Sequence, residues 1–254
     1  MRFWLGTHHE GWLADMSVPL FISHRRLKAR KRLPVARGPW ALDSGGYTEL
    51  NQYGRWTTGP GEYAEAVARY QQEVGSLEWA APQDWMCEPH VLLKTGLSVR
   101  EHQERTVQNY LELRGRGPFV PVLQGQTLAH YEACIGLYQD AGVDLFAEPL
   151  VALGTVCRRN RDAEIARIVG GLAETGLRLH GFGMKSRGLA RCSHMLASAD
   201  SMAWSTRGRM AWQHDHRRMC GGEHKGGCAN CRVWALRWRE RVIDGCGLFA
   251  EAST

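Results

Sequence analysis

Short apolar runs recur along this chain, and almost every one ends in a polar residue or a glycine. Arg2-Phe3-Trp4-Leu5-Gly6 is the first, and Pro19-Leu20-Phe21-Ile22-Ser23-His24 the second. Trp40-Ala41-Leu42 runs into Asp43-Ser44-Gly45-Gly46-Tyr47. Residues 77–81 lead into Pro82-Gln83-Asp84-Trp85, and Phe119-Val120-Pro121-Val122-Leu123 into Gln124-Gly125-Gln126. Residues 144–147 open a further strand region, and Leu150-Val151-Ala152-Leu153 reaches Gly154-Thr155. Leu177-Arg178-Leu179-His180 stops at Gly181-Phe182-Gly183, and Ala197-Ser198-Ala199-Asp200 closes the series. Runs this short, bounded by turn formers, read as buried strands.

Between them lie stretches with apolar positions at helical spacing. One helix opens at Pro60, a residue suited to the first turn, and keeps Tyr63, Val67, Tyr70 and Val74 on one face. Residues 99–113, 127–141 and 161–175 repeat the pattern, and a shorter helix follows Gly183. Residues 49–58, polar and aromatic, read as a loop or short hairpin. Strands alternating with helices every 25–40 residues or so predict a parallel sheet with crossovers, in about seven or eight units. The predicted fold is α/β, a (β/α)8 TIM-type barrel, with a doubly wound sheet as the alternative. A barrel would bring Asp43, Asp84, Gln124, Gly154, Gly183 and Asp200 to one mouth, at the strand C-termini.

Composition narrows the picture. A chain of 254 residues with 44% hydrophobic content suits one large domain, or one domain with a small appendage; the expected division is residues 1–210 as barrel and 211–254 as a cysteine-bearing element packed on it. The net charge of +6 is concentrated in His24-Arg25-Arg26-Leu27-Lys28-Ala29-Arg30-Lys31-Arg32 and in residues 207–241. Two basic runs with tryptophans nearby favour a nucleic-acid partner. No apolar run is long enough to span a bilayer and no leader pattern opens the chain, so a cytoplasmic setting without membrane contact is expected. In a reducing compartment, clustered cysteines bind metal more often than they pair.

Asp43 and Asp200 are the two candidate catalytic carboxylates. A retaining displacement at a sugar carbon needs a nucleophilic carboxylate on one face and a second group to move the proton of the departing base. Asp84, among Ala80, Ala81, Pro82 and Trp85, suits a planar heterocycle with paired N–H donors. Any one of these aspartates alone would be an ordinary cap or turn residue; three at strand ends form a pattern.

These motifs, in this order, resemble the tRNA-guanine transglycosylases and their DNA-acting relatives, the 7-deazapurine DNA-modification transglycosylases. Asp43-Ser44-Gly45-Gly46-Tyr47 is similar to the family's Asp-Ser-Gly-Gly-aromatic signature. The resemblance implies a base-binding Ser44, a general acid/base at Asp43 and a stacking ring at Tyr47. Gln83-Asp84 sits where the family has its base-recognition aspartate. Leu123-Gln124-Gly125 resembles Val-Gln-Gly with a base-binding glutamine, and Leu153-Gly154 a Gly-Gly whose backbone meets the base. His180-Gly181-Phe182-Gly183 resembles Met-Gly-Val-Gly, with His180 where a methionine covers the other face of the base. The spacing from Gly183 to Asp200 equals the family's spacing to its nucleophile, although Ala199-Asp200-Ser201-Met202 replaces Asp-x-Phe-Asp-Cys. Thr206-Arg207-Gly208-Arg209 resembles a segment that grips the nucleic acid. The implied reaction exchanges guanine for a free 7-deazaguanine base through a covalent aspartyl-glycosyl intermediate. DNA is the expected substrate, because the chain is shorter than the tRNA enzymes; tRNA is the alternative. Arg25, Arg26, Arg207 and Arg209 would meet phosphates.

Cys220-x7-Cys228-x2-Cys231 has the spacing of a zinc hook, and four closed ligands would make the metal structural. His224 is the favoured fourth ligand, with His214, His216 and Cys246 as alternatives. The site would pin a helix over residues 233–243, with Trp234, Leu236 and Trp238 inward. Two other classes compete: a non-enzymatic zinc-containing nucleic-acid-binding protein, and a hydrolase that uses the same carboxylates with water.

Overall fold

In the computed structural model, the residues described are 1–156, 162–210 and 227–245. Eight strands, β1 (Arg2–Thr7), β2 (Leu20–Ser23), β3 (Trp40–Asp43), β4 (Leu77–Ala80), β5 (Val122–Leu123), β6 (Val151–Leu153), β7 (Leu179–Gly181) and β8 (Ser198–Ser201), form one sheet. Its order is β4-β3-β2-β1-β8-β7-β6-β5, and every pair is parallel. The sheet is curled, and its β4 edge reaches the segment that precedes β5: Ala80 and Phe119 form a parallel bridge, where Ala80 N–H donates to Pro118 O at 2.9 Å.

The alternation of side chains sorts the apolar residues into two cores. Trp4, Phe21, Ala41, Trp79, Val120, Val122 and Ala152 pack together on the concave face. Phe3, Leu5, Leu20, Ile22, Leu42 and Leu179 point outward and share a core with helix residues such as Tyr63, Val67, Tyr70 and Tyr138. Each such side chain is worth about 1.5–3 kcal/mol when fully buried, so the sheet is stabilised on both faces. At the N-terminal end, Arg2 lies over the Trp4 ring at 4.5 Å and pairs with Glu78 at 2.6 Å, across two intervening strands.

The helices form where spacing and caps agree. The helix Pro60–Glu73 starts at its proline and buries Tyr63, Val67 and Tyr70. The helix Val99–Leu113 begins at a capping box, in which Ser98 accepts from Glu101 N–H and Glu101 accepts from Ser98 N–H. Two expectations fail. Residues 144–147 form a turn, not a strand: Asp144 Oδ1 accepts from Phe146 N–H at 2.9 Å and leaves Phe146 60% exposed. Residues 46–53 are helical (Gly46–Tyr53), bounded by Gly45 at φ +86° and Gly54 at φ +65°. Glu49 and Gly46 share the buried face of that helix with Leu50, which hides the apolar period in the sequence. Leu50, Trp85, Met86 and Val91 make a small separate core beside the sheet's C-terminal end.

The helix Arg232–Gly245 buries Trp234, Ala235 and Trp238, while Leu236 is half-buried. These residues join the outer core, with Trp238 6.0 Å from Phe3. No helix among the described residues is long and apolar enough to cross a membrane.

Candidate active site

Two residues beyond the concave-face cluster around Trp4, Phe21 and Trp79, the strands and the residues just past them present a different ring of inward positions. They are Gly6, Ser23, Asp43, Ala81, Gln124, Gly154, Phe182 and Asp200. All except Gln124 line one cavity of about 760 Å³ at the strand C-termini. Asp43 and Asp200 therefore face the same space, although they come from β3 and β8, on either side of β1 and β2.

Asp43 is set by the turn that follows it. Gly45 takes a left-handed conformation (φ +86°), which a side chain would strain, and its N–H donates to the Asp43 carboxylate. The Ser23 hydroxyl donates as well. Asp43 is half-buried and lines the cavity. Burial raises its pKa above the usual aspartate value, and the charge of Asp200 adds to this; the two hydrogen bonds and Arg25 oppose it.

Asp200 is 5% exposed, and its Oδ1 accepts from Gly183 N–H at 2.8 Å. Asp84 is 7% exposed, and its Oδ2 accepts from Gln124 Nε2 at 2.5 Å. Gln124 Oε1 accepts in turn from Thr155 Oγ1 at 2.7 Å, and Thr155 Oγ1 accepts from Cys87 N–H at 2.8 Å. Thr155 is β-branched and sits at φ +57°, a strained conformation held by these bonds. A Cβ at Gly154 would run into the Gln124 amide, so that position must be glycine for the network to form. Burial raises the pKa of Asp84 to about 7, reinforced by the charges of Asp43 and Glu88.

Of the base-binding residues expected from sequence, Tyr47, Asp84 and Gly154 line the cavity. Ser44, Gln124 and His180 do not. Ser44 is 2% exposed with an unpartnered hydroxyl, and Gln124 acts on the cavity through Asp84. His180 does not cover a face of the cavity: β7 pairs it with Ser198, one layer below Asp200, and it is fully buried. Cavity residues that sequence reasoning missed include His8, Ser23, Glu88, Thr155, Phe182 and Met202. Ser23 was findable, because it ends β2 in register with Asp43. His8 is placed from far away, its Nε2 lying 2.9 Å from Asn230 Oδ1.

The family model described as DpdA, DeoxyPurine in DNA protein A, matches residues 1–254. The chain belongs to this family. It is the family of 7-deazapurine DNA-modification transglycosylases that the motifs resemble. Among solved structures, the chain is similar to the carboxyl transferase domain of Rhizobium etli pyruvate carboxylase with 3-hydroxypyruvate. Identity is 11% and the TM-score 0.47, over 97% of this chain and 47% of that one, so the chain spans about half of that structure's length. Among curated proteins none matches.

In this DpdA family member the basic residues divide. Arg25 and Arg26 line the cavity, but Arg25 is tied at 2.6 Å to Glu49, whose other oxygen accepts from Thr57. Arg207 and Arg209 are exposed on the helix Ala203–Met210, whose Thr206 reaches the cavity. Cys228 is buried and Cys231 half-buried in a short turn, with Trp234 N–H donating to Cys231 Sγ at 3.4 Å. Cys220, His224, His214, His216 and Cys246 lie outside the described residues, and among the described residues no three metal-ligating side chains converge.

Proposed function

We propose that this protein exchanges guanine in DNA for a 7-deazaguanine base on a (β/α)8 barrel, with Asp200 as nucleophile and Asp43 as general acid and base. The reading is carried by one observation: Asp43 and Asp200 open on a single cavity that also presents Tyr47 and Asp84, in a chain of the DpdA family. A carboxylate oxygen of Asp200 attacks C1′ of the nucleotide. The C1′–N9 electron pair leaves with guanine, which takes a proton from Asp43. Burial favours the protonated form of Asp43, as a general acid requires. The incoming base then attacks C1′ through N9 and gives its N9 proton to Asp43, while the C1′–O pair returns to Asp200. Two inversions retain the β-anomer without ATP.

Tyr47 would stack on the base and Asp84 would meet its paired N–H donors. The target base must leave the stack to enter, at a cost of about a few kcal/mol in a duplex. Arg26, Arg207 and Arg209, with Arg25, would neutralise phosphates at the rim. Residues 211–254 form the zinc element in this reading, with Cys220, His224, Cys228 and Cys231 holding a structural ion. The N–H···S bond from Trp234 to Cys231 suits a thiolate ligand there.

The test uses guanine-labelled DNA and guanine-labelled tRNA. Loss of label from DNA only when the deazaguanine is added, together with a denaturation-stable protein–DNA adduct absent in Asp200→Ala, is the expected result. Loss from tRNA alone overturns the DNA assignment, and guanine release without an incoming base indicates a hydrolase.

A further inference from the structure

His180 is closed off from solvent between aromatic rings, with Trp79 at 4.6 Å, Phe182 at 5.0 Å and Phe21 at 6.0 Å. Its two nitrogens meet two polar groups. Nδ1 lies 2.8 Å from Ser198 Oγ, and Nε2 lies 3.4 Å from Asp200 Oδ1. The second contact is attractive without being an aligned hydrogen bond, and Nε2 has no other partner. A carboxylate only accepts, so the proton belongs on Nε2, and the Ser198 hydroxyl donates to Nδ1. The opposite tautomer would set a lone pair against the carboxylate in a low-dielectric interior.

Gly183 N–H donates to the same oxygen, Oδ1, at 2.8 Å. The Gly183 N–H and, at longer range, His180 Nε2 therefore face the same oxygen, and no described residue hydrogen-bonds Oδ2.

We infer that Ser198-held His180 and the Gly183 N–H form a two-donor cradle for Asp200 Oδ1, which makes Oδ2 the atom that attacks C1′ and makes Asp200 a good leaving group in the second half of the exchange. The inference rests on the base-exchange reading above. In the first step Oδ2 bonds to C1′ as the C1′–N9 pair departs with guanine, and Oδ1 becomes the ester carbonyl. In the second step N9 of the incoming base bonds to C1′, the C1′–Oδ2 pair returns to Asp200, and negative charge reappears on Oδ1 between the two donors. Donors to a developing anion gain most where the charge is largest, and contacts that are loose at rest tighten there. The cradle thus favours the carboxylate over the ester and speeds breakdown of the adduct, not its formation. His180 is a positioning residue in this scheme.

The test compares wild type, His180→Leu, His180→Gln, Ser198→Ala and Asp200→Ala as full chains. Formation of the protein–DNA adduct, and its decay on adding 7-deazaguanine, are followed on denaturing gels, with thermal melts as the folding control. In His180→Leu the adduct is expected to form at the wild-type rate or faster and to decay about tenfold more slowly. His180→Gln, which restores an N–H donor, recovers most of the decay rate, and Ser198→Ala lies between. A merely structural role would slow both steps together and gain nothing from glutamine; that result, or unchanged decay in His180→Leu, overturns the inference. Should His180→Leu not fold, Ser198→Ala decides, with slowed decay and unchanged formation in support and wild-type decay against. No adduct in wild type, or an adduct in Asp200→Ala, brings down the base-exchange reading and this inference with it.

Discussion

The concave face of the sheet has two ends built from the same strands and the residues just past them. At the N-terminal end the inward positions are Trp4, Phe21, Trp79 and Val122, which fill the interior. Two residues further on they are Gly6, Ser23, Ala81 and Gln124, joined by Asp43, Gly154 and Asp200, and most of these border a cavity. Four strands, β4, β5, β6 and β7, end between the two levels, so Ala81, Gln124, Gly154 and Phe182 stand just past them. The difference is side-chain volume: large rings leave no space below, whereas small residues and glycines above leave room that carboxyl groups can face. A plug and a pocket thus come from one alternation, and burial at the pocket raises the pKa values of Asp43 and Asp84.

If that division is right, substitutions at the upper level should affect chemistry and those at the lower level stability. Asp200→Ala should lower base exchange by ~1,000-fold or more, because the nucleophile is lost, while costing less stability than a void in the plug, since it removes one short side chain and one backbone hydrogen bond. A matching loss of stability would break the comparison. Trp79→Ala should cost about 3–5 kcal/mol in denaturant unfolding, because it opens a void in the plug. A loss under about 1 kcal/mol would mean that the lower level is not the packed core described.

Asp84→Asn sharpens the electrostatic part. With its pKa raised from 3.8 to about 7, the folded protein holds a proton that the unfolded chain gives up across that range. Stability contributed by this group is therefore lost as pH rises through that window. The asparagine variant should gain on wild type between pH ~5 and pH ~8 by up to a few kcal/mol, at about 1.4 kcal/mol per pKa unit. Paired denaturant melts at the two pH values check it, and an equal difference at both would place the burial effect elsewhere. The smallest effect is expected at Gly154→Ala. The new methyl would push Gln124 off Asp84, and KM for the incoming base should rise about tenfold, or ~1.4 kcal/mol, with kcat nearly kept. A fall in kcat at unchanged KM would show that Gly154 serves the chemical step instead.

Much of this was legible before any fold was known. The apolar runs marked the eight strands, Pro60 marked the start of the helix Pro60–Glu73, and the polar residue after each run marked the mouth. Local chemistry sufficed because strand, cap and turn preferences act over a few residues. The helix Gly46–Tyr53 escaped because its buried face carries Glu49, and the turn at residues 144–147 because Asp144 captures the backbone before a strand can pair.

What the chain alone determined is where each strand ends and which polar residue or glycine stands there, since turn chemistry acts over a few residues. What only the tertiary structure decided is how deep each of them lies and whom it meets. Depth depends on the stagger between strands that are remote in sequence. Pairing of His180 with Ser198 and of Trp4 with Asp200 puts the histidine beneath the acid, not beside a bound base. The same stagger sends Gln124 behind Asp84 and leaves Asp43 and Asp200 facing one space. Register is a long-range property, fixed by packing across the whole sheet, and no local pattern encodes it.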